Sequence, residues 1–261
     1  MKLVAIGDIH GRASWKQAVF DNQDADIFVF IGDYFDTHED ISPSLQIYNF
    51  KEIIAWKEQV ELEGKKVIML IGNHDYHYFP EIGYNGTSGY SQSHAAFISD
   101  EINKNRKHLS IAYAYENLLF THAGVGDSFL NKTLALVEPT ATIPTTAEGV
   151  VVYLTSLWLN KPGEFGFYWN DSSGYGDNIN QTPIWIRPGS LKQGSKSLKA
   201  AGIIQIVGHT QQKTIDIEGK STGGKYFFID ALGVGQYLIY NDGKFTTGYI
   251  SSSKKDAEKS S

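Results

Sequence analysis

An α/β fold is predicted by three features of this chain of 261 residues. Residues 3–6, 27–31 and 67–71 are short, β-rich and nearly all apolar, as strands covered on both faces are. Between them, residues 12–20 and 43–62 repeat apolar side chains at helical spacing, so strand and helix alternate. Each apolar run then ends on a small polar motif: Gly7-Asp8-Ile9-His10-Gly11, Gly32-Asp33-Tyr34-Phe35-Asp36 and Gly72-Asn73-His74-Asp75. In open α/β sheets the binding crevice lies beyond the carboxyl ends of the strands, so residues distant in sequence converge there.

After Asp75, a mixture of Tyr, Gly and Ser as far as Tyr90 reads as a long loop and one wall for a substrate. Its aromatic residues Tyr76, Tyr78, Phe79, Tyr84 and Tyr90 are read as loop packing in preference to a base-stacking platform. A helix over residues 93–107, strands near 110–115 and 118–121, and helical stretches to about residue 160 are expected next. Residues 161–190 gather Gly, Pro, Asn and Asp around Trp169, Trp185 and Arg187, and read as a second wall. From residue 203 onward the chain reads as strands, with Asn241-Asp242-Gly243 as a hairpin turn. Gly219-Lys220-Ser221-Thr222 lacks the first glycine of a phosphate loop, because Thr214 stands in its place, and is read as a turn between two strands. The organisation expected is one domain over residues 1–250, with substrate loops at 76–90 and 161–190, and a flexible tail over 251–261.

Composition narrows the function. With 41% hydrophobic and 20% charged residues, the chain has the makings of a packed core. A net charge of -6 and the lack of a dense basic block argue against nucleic acid as an obligate partner. No apolar stretch approaches about 18 residues, and the first residues lack a signal-peptide pattern, so a cytoplasmic protein with no membrane contact is expected. Cysteine is absent, which removes disulfides and thiolate sites and leaves His, Asp and Asn as ligands. That donor set suits Mn, Fe, Zn, Ni, Co or Mg.

The strand-end motifs then divide the chemistry. Asp8 and His10 stand two apart, on one side of an extended segment, and can chelate one ion together. Asp33 can bridge two ions, which two-metal hydrolases hold about 3.5–4 Å apart. Asn73, with the histidines of Thr121-His122-Ala123-Gly124 and Gly208-His209-Thr210, would surround the second ion. Water held between the ions would serve as nucleophile, and His74 as the acid that protonates the leaving oxygen. Asp36 is positioned to orient His74, and Arg187 in Ile184-Trp185-Ile186-Arg187-Pro188 to clamp phosphate oxygens. Arg12, as the first residue of a helix, is either a further substrate contact or solvated, while His77, His94 and His108 are expected at the surface.

These motifs, in order from Asp8 to His209, resemble the calcineurin-like metallophosphoesterase superfamily. The resemblance implies a four-layer α-β-β-α sandwich of two mixed sheets flanked by helices. It also implies two divalent ions, manganese foremost, on Asp8, His10, Asp33, Asn73, His122 and His209, with His74 as acid and Asp36 as its partner. Gly-Asp-Ile-His-Gly, His-Ala-Gly and Trp-Ile-Arg-Pro are similar to the phosphoprotein-phosphatase branch, including its bacterial, phage and dinucleoside-tetraphosphatase relatives. Two departures stand out. Thr37-His38 occupies the place of an Arg-Gly pair, so one phosphate-binding arginine is missing or replaced, and His38 is either a substitute phosphate contact or a solvent-facing loop histidine. Gln211 replaces the second histidine of Gly-His-x-His, which favours the phosphatase branch over the phosphodiesterases.

The activity expected is hydrolysis of phosphomonoesters, including phosphoserine and phosphothreonine, with dinucleoside polyphosphate hydrolysis as the alternative. The substrate would be a phosphoprotein, a nucleotide or a small phosphate ester. Nuclease action is disfavoured by the acidic charge and Gln211, and a non-catalytic scaffold by the retention of all six ligands.

Overall fold

The computed structural model describes residues 1–83, 89–137, 140–169, 176–219 and 223–250. Strand and helix alternate first through β1 (Lys2–Ile6), α1 (Trp15–Phe20), β2 (Ile27–Phe30), α2 (Pro43–Leu62), β3 (Lys66–Leu70) and the short α3 (Asn73–Tyr76). Helix α2 starts sharply because the Ser42 side chain accepts from the Leu45 amide at 3.3 Å and Pro43 fills the first helical position. Helix α1 begins at Trp15, three residues later than its apolar spacing suggests. The Arg12 amide instead donates to the Ile9 carbonyl at 2.8 Å, so residues 9–12 turn away from the strand before the helix starts.

The remaining elements are α4 (Ala95–Lys104), β4 (Leu109–Ser110), β5 (Tyr113–Tyr115), β6 (Leu118–Phe120), α5 (Asp127–Val137) and α6 (Ala147–Asn160). They continue with α7 (Pro188–Gly194), α8 (Lys196–Ala200), β7 (Ile204–Val207), β8 (Tyr226–Phe228), β9 (Gln236–Asn241) and β10 (Lys244–Tyr249). Where one strand was expected over residues 110–115 there are two. The chain leaves one sheet after Ser110, passes through the buried Ile111 and Ala112, and enters the other at Tyr113. The segment before Gly219 is likewise not a strand, and Lys220 to Thr222 lie outside the described residues, as do Tyr84 and the tail 251–261.

One sheet has the order β10-β9-β1-β2-β3-β4, with β1 to β4 parallel and β9 antiparallel to β1. The other has the order β5-β6-β7-β8, with β6, β7 and β8 parallel. Side-chain alternation explains how they stack. Leu3 and Ala5 join Val29, Phe120, Ile206 and Leu238 in one buried cluster between the sheets. Val4, Ile6, Phe28 and Phe30 point the other way, to Trp15, Ala18, Phe50 and Ile53 of α1 and α2. Helices also cover the far face of the second sheet, where Leu119 meets Phe129 and Leu154, and Val207 meets Leu191. The result is the four-layer α-β-β-α sandwich. At its edge, Asp242 and Gly243 take φ of 46° and 86°, the left-handed pair that a two-residue hairpin between β9 and β10 needs. No helix of the described residues is long and apolar enough to cross a membrane.

The intersheet cluster sets the stability of the fold. Leu238→Ala empties a fully buried position and is expected to lower unfolding free energy by about 2–5 kcal/mol. Thr246→Ala on the exposed face of β10 should stay within about 0.5 kcal/mol of the parent. Urea denaturation monitored by tryptophan fluorescence distinguishes the two.

Candidate metal centre

Parallel strands of both sheets aim their carboxyl ends at one place. Asp8 and His10 follow β1, Asp33 and Asp36 follow β2, and Asn73 and His74 follow β3, three neighbours in the first sheet. His122 follows β6 and His209 follows β7, neighbours in the second. The sheets are sewn together here. The His209 amide donates to the Asp8 carboxylate at 3.1 and 3.0 Å, and the His122 Nδ1 donates to the Ile31 carbonyl at 2.9 Å. Gly208 permits this approach, since a methyl there would overlap the Asp8 carboxylate, and within the first sheet a methyl at Gly72 would overlap the Asp33 carboxylate. The turns are also strained. Among the described residues, four of the six non-glycine residues with left-handed φ are His10, Asp33, Asp36 and His209, at 45°, 52°, 57° and 63°.

Each metal-facing histidine has one ring nitrogen tied to a backbone carbonyl. His10 Nδ1 lies 2.9 Å from the Phe35 carbonyl oxygen, and His209 Nε2 lies 3.0 Å from that of Trp185. With those nitrogens donating, as in His122, the opposite nitrogen keeps its lone pair for a cation. His10 Nε2 faces Asp33 Oδ2 at 3.8 Å, and His122 Nε2 faces the same oxygen at 3.3 Å. Asn73 Oδ1 lies 3.0 Å from His122 Nε2 and 2.8 Å from His209 Nδ1. Ligand atoms of Asp8, His10 and Asp33 fall within 4.8 Å of one another, and so do those of Asp33, His122 and His209. Asp33 belongs to both trios, so the six expected ligands form two adjoining donor sets with one shared carboxylate.

The electrostatics suit cations as well. Burial, with Asp230 and Asp33 nearby, raises the Asp8 carboxyl well above its usual range, despite the pull of His122. For Asp33, burial is outweighed by His122, His74 and His10, which hold it well below that range. Burial likewise resists charging of His122, but Asp33 and Asp8 overcome it and push the imidazole up to about 10. A pocket that draws a proton onto a fully buried histidine lacks positive charge, and divalent cations would supply it. Burial lowers His10 to about 4 and His209 well below the imidazole range, so both are neutral donors. Two divalent ions therefore fit the residues present.

Beside this centre, His74 Nδ1 lies 3.2 Å from Asp36 Oδ2, and the His74 amide donates to Asp33 Oδ1 at 2.9 Å. Arg187, at the start of α7, donates from Nη1 to the His209 carbonyl and to Thr210 Oγ1 at 3.2 and 3.1 Å, which places its head against the second trio. Arg12 is not helical and not solvated: it pairs with Glu39 at 2.6 Å and donates to the Asp8 carbonyl at 3.2 Å. His38 is exposed on the loop after Asp36. A cleft of about 670 Å³ opens next to Asp36, lined by Thr37, Ile41, Pro43 and Gln46 and by the uncharged residues 89–93.

The structure corrects the expectation for His77, which is buried and meets Asp36, while Tyr76, Tyr78 and Phe79 pack inward as read. It also adds two residues. Asp75 accepts the amides of Asp33, Tyr34 and Gly72 at 2.8, 2.7 and 2.9 Å and so locks the turn after β2 to the end of β3. An acid at the third position of a helix is a capping signal that points to such a role. Asp230 is buried two residues beyond β8, another apolar run ending on an acid, and the strand-end pattern of the other motifs is the signal for it.

If these donor sets hold cations, Gly208→Ala should displace Asp8 and cost roughly tenfold or more in metal affinity, read by calorimetry, with the fold retained by circular dichroism. Chelation should lower the melting temperature of the parent, and excess Mn should restore it, with about 2.7 kcal/mol gained at a free concentration one hundred times Kd.

No curated protein sequence matches the chain significantly. Among solved structures, it is similar to YfcE, a phosphoesterase from E. coli, at 13% identity and a TM-score of 0.34, over 96% of this chain and 100% of that one. A dimetal phosphatase from Danio rerio is similar at 11% identity and a TM-score of 0.36, over 96% of this chain and 99% of that one. The profile of calcineurin-like phosphoesterases matches residues 1–212, and the chain belongs to that family of metal-dependent phosphoester hydrolases.

Proposed function

We propose that the enzyme is a phosphomonoesterase of the phosphoprotein-phosphatase type, and one observation carries this reading: an imidazole with a carboxylate partner stands beside two donor sets that share Asp33. When bound, two divalent cations neutralise phosphoryl charge and acidify water, which supplies the nucleophile for hydrolysis. Asp8, His10 and Asp33 would hold one, and Asp33, Asn73, His122 and His209 the other. Arg187 binds phosphate oxygens, because its guanidinium reaches the second trio and presents a planar fork. His74 gives the proton on Nε2 to the departing oxygen, while Asp36 holds Nδ1. A monoester needs such an acid because its alkoxide leaving group is strongly basic.

Manganese is part of the same proposal, supported by the all nitrogen and oxygen donor set. So is a cytoplasmic setting, with which the fold is compatible. Arg12 is assigned to shaping the Asp8 turn in preference to touching substrate, since Glu39 engages it.

A metal panel of Mn, Ni, Mg, Zn and Co against an aryl monoester, an aryl diester, a phosphopeptide and a dinucleoside tetraphosphate tests the reading. Monoesters should be hydrolysed fastest and Asp33→Asn should abolish turnover. Faster hydrolysis of the tetraphosphate would transfer the assignment to phosphoanhydrides, and an unchanged rate in Asp33→Asn would end it. His74→Asn should keep its metals and lose about 10²- to 10⁴-fold on alkyl phosphates, with a smaller loss on nitrophenyl phosphate.

A further inference from the structure

Asp36 is held by more than the histidine it orients. His77 Nε2 lies 2.9 Å from Asp36 Oδ2, the same oxygen that His74 Nδ1 approaches at 3.2 Å. Tyr78 donates its hydroxyl to the other oxygen, Oδ1, at 2.5 Å, and that hydroxyl in turn accepts the Ser91 amide at 3.0 Å. The Asp36 amide donates to Gln46 Oε1 at 2.8 Å, and the residue is fixed in the left-handed region at φ 57°. We infer that His77 is a positioning residue of the acid dyad: its imidazole, with the Tyr78 hydroxyl, clamps the Asp36 carboxylate in the plane from which it orients His74. This rests on the reading of His74 as the general acid.

The physical argument concerns a soft torsion. The terminal torsion of an aspartate is broad and roughly two-fold, so one hydrogen bond to His74 leaves the carboxylate free to rock, and His74 with it. A second donor on Oδ2 and a third on Oδ1 remove that freedom. His77 can serve because it cannot move: its side chain is fully buried, with edge-to-face contacts to Tyr78 and Tyr90 at 4.4 and 4.8 Å between ring centroids. Tyr78 is braced by stacking on Tyr90 at 5.1 Å and 17°. The three donors also keep Asp36 ionised. Burial opposes this, but His74, His77 and Tyr78 outweigh it and hold the carboxyl below its usual range. A carboxylate held in this way accepts hydrogen bonds without taking the proton that His74 must deliver to the leaving group.

A histidine buried only for packing would cost turnover on every ester alike, and this separates the two roles. His77→Leu and His77→Gln are made in the parent and in His74→Asn, and kcat and KM are measured with Mn on an alkyl phosphate and on nitrophenyl phosphate. Metal content and melting temperature are measured on each variant. His77→Leu should lower kcat on the alkyl ester roughly tenfold or more, with KM little changed and a much smaller effect on nitrophenyl phosphate. The amide nitrogen of His77→Gln can reach Asp36 and should restore most of the loss. In the His74→Asn background His77→Leu should cost nothing further, because it acts through His74. If His77→Leu does not fold, His77→Asn, whose amide is too short to reach, takes its place. Equal losses on both esters, or a full further loss in His74→Asn, would overturn the positioning role. A parent inactive on both esters, or a His74→Asn variant blind to the leaving group, would instead sink the acid reading on which it rests.

Discussion

Asp33 has to be ionised while fully buried, and much of the centre is arranged around that requirement. A lone carboxylate removed from water would take up a proton. Here His122, His74 and His10 surround it, and the His74 amide donates to its Oδ1. Its own amide is bound by Asp75, which also takes the Tyr34 and Gly72 amides. That grip keeps Asp33 in a left-handed turn, and it obliges the neighbouring strand end to carry Gly72, because a side chain there would strike the carboxylate. The shared carboxylate therefore dictates the backbone around it as well as the two donor sets.

Strain at these turns has a physical counterpart in the sandwich beneath them. Left-handed φ at four non-glycine residues costs on the order of 1–3 kcal/mol each and persists only where surrounding structure imposes it. The intersheet cluster of Leu3, Ala5, Val29, Phe120 and Ile206 supplies that rigidity immediately below the site. Strands buried on both faces and turns that few sequences tolerate thus belong to one design.

The candidate ligands stand out in the sequence because they are local signals. An apolar run followed by Gly-Asp, Gly-Asn, Gly-His or Thr-His marks a strand end whatever the strand pairs with, and Asp8, Asp33, Asn73, His122 and His209 all read this way. What supports them depends on distant partners. Nothing near His77 reveals that its ring meets Asp36 across 41 residues of chain, so a histidine in a polar-looking loop reads as exposed. Arg12 misleads for the reverse reason. Its neighbours have helical spacing, but the Arg12 amide is used in the turn after Ile9 and the guanidinium is captured by Glu39. The split of residues 110–115 between sheets was equally hidden, since Ile111 and Ala112 are as apolar as the strands they join.

The two donor sets differ in provenance. Asp8, His10 and Asp33 all come from strands of one sheet, and His74 and Asp36 from the same sheet. His122 and His209 come from the other, so the second set exists only while the sheets keep their alignment. One half of the centre is built into a single hydrogen-bonded lattice; the other is a joint between two lattices. Any small sliding of one sheet over the other would part the donors of the second set directly, and would reach the first through the His209 amide on Asp8.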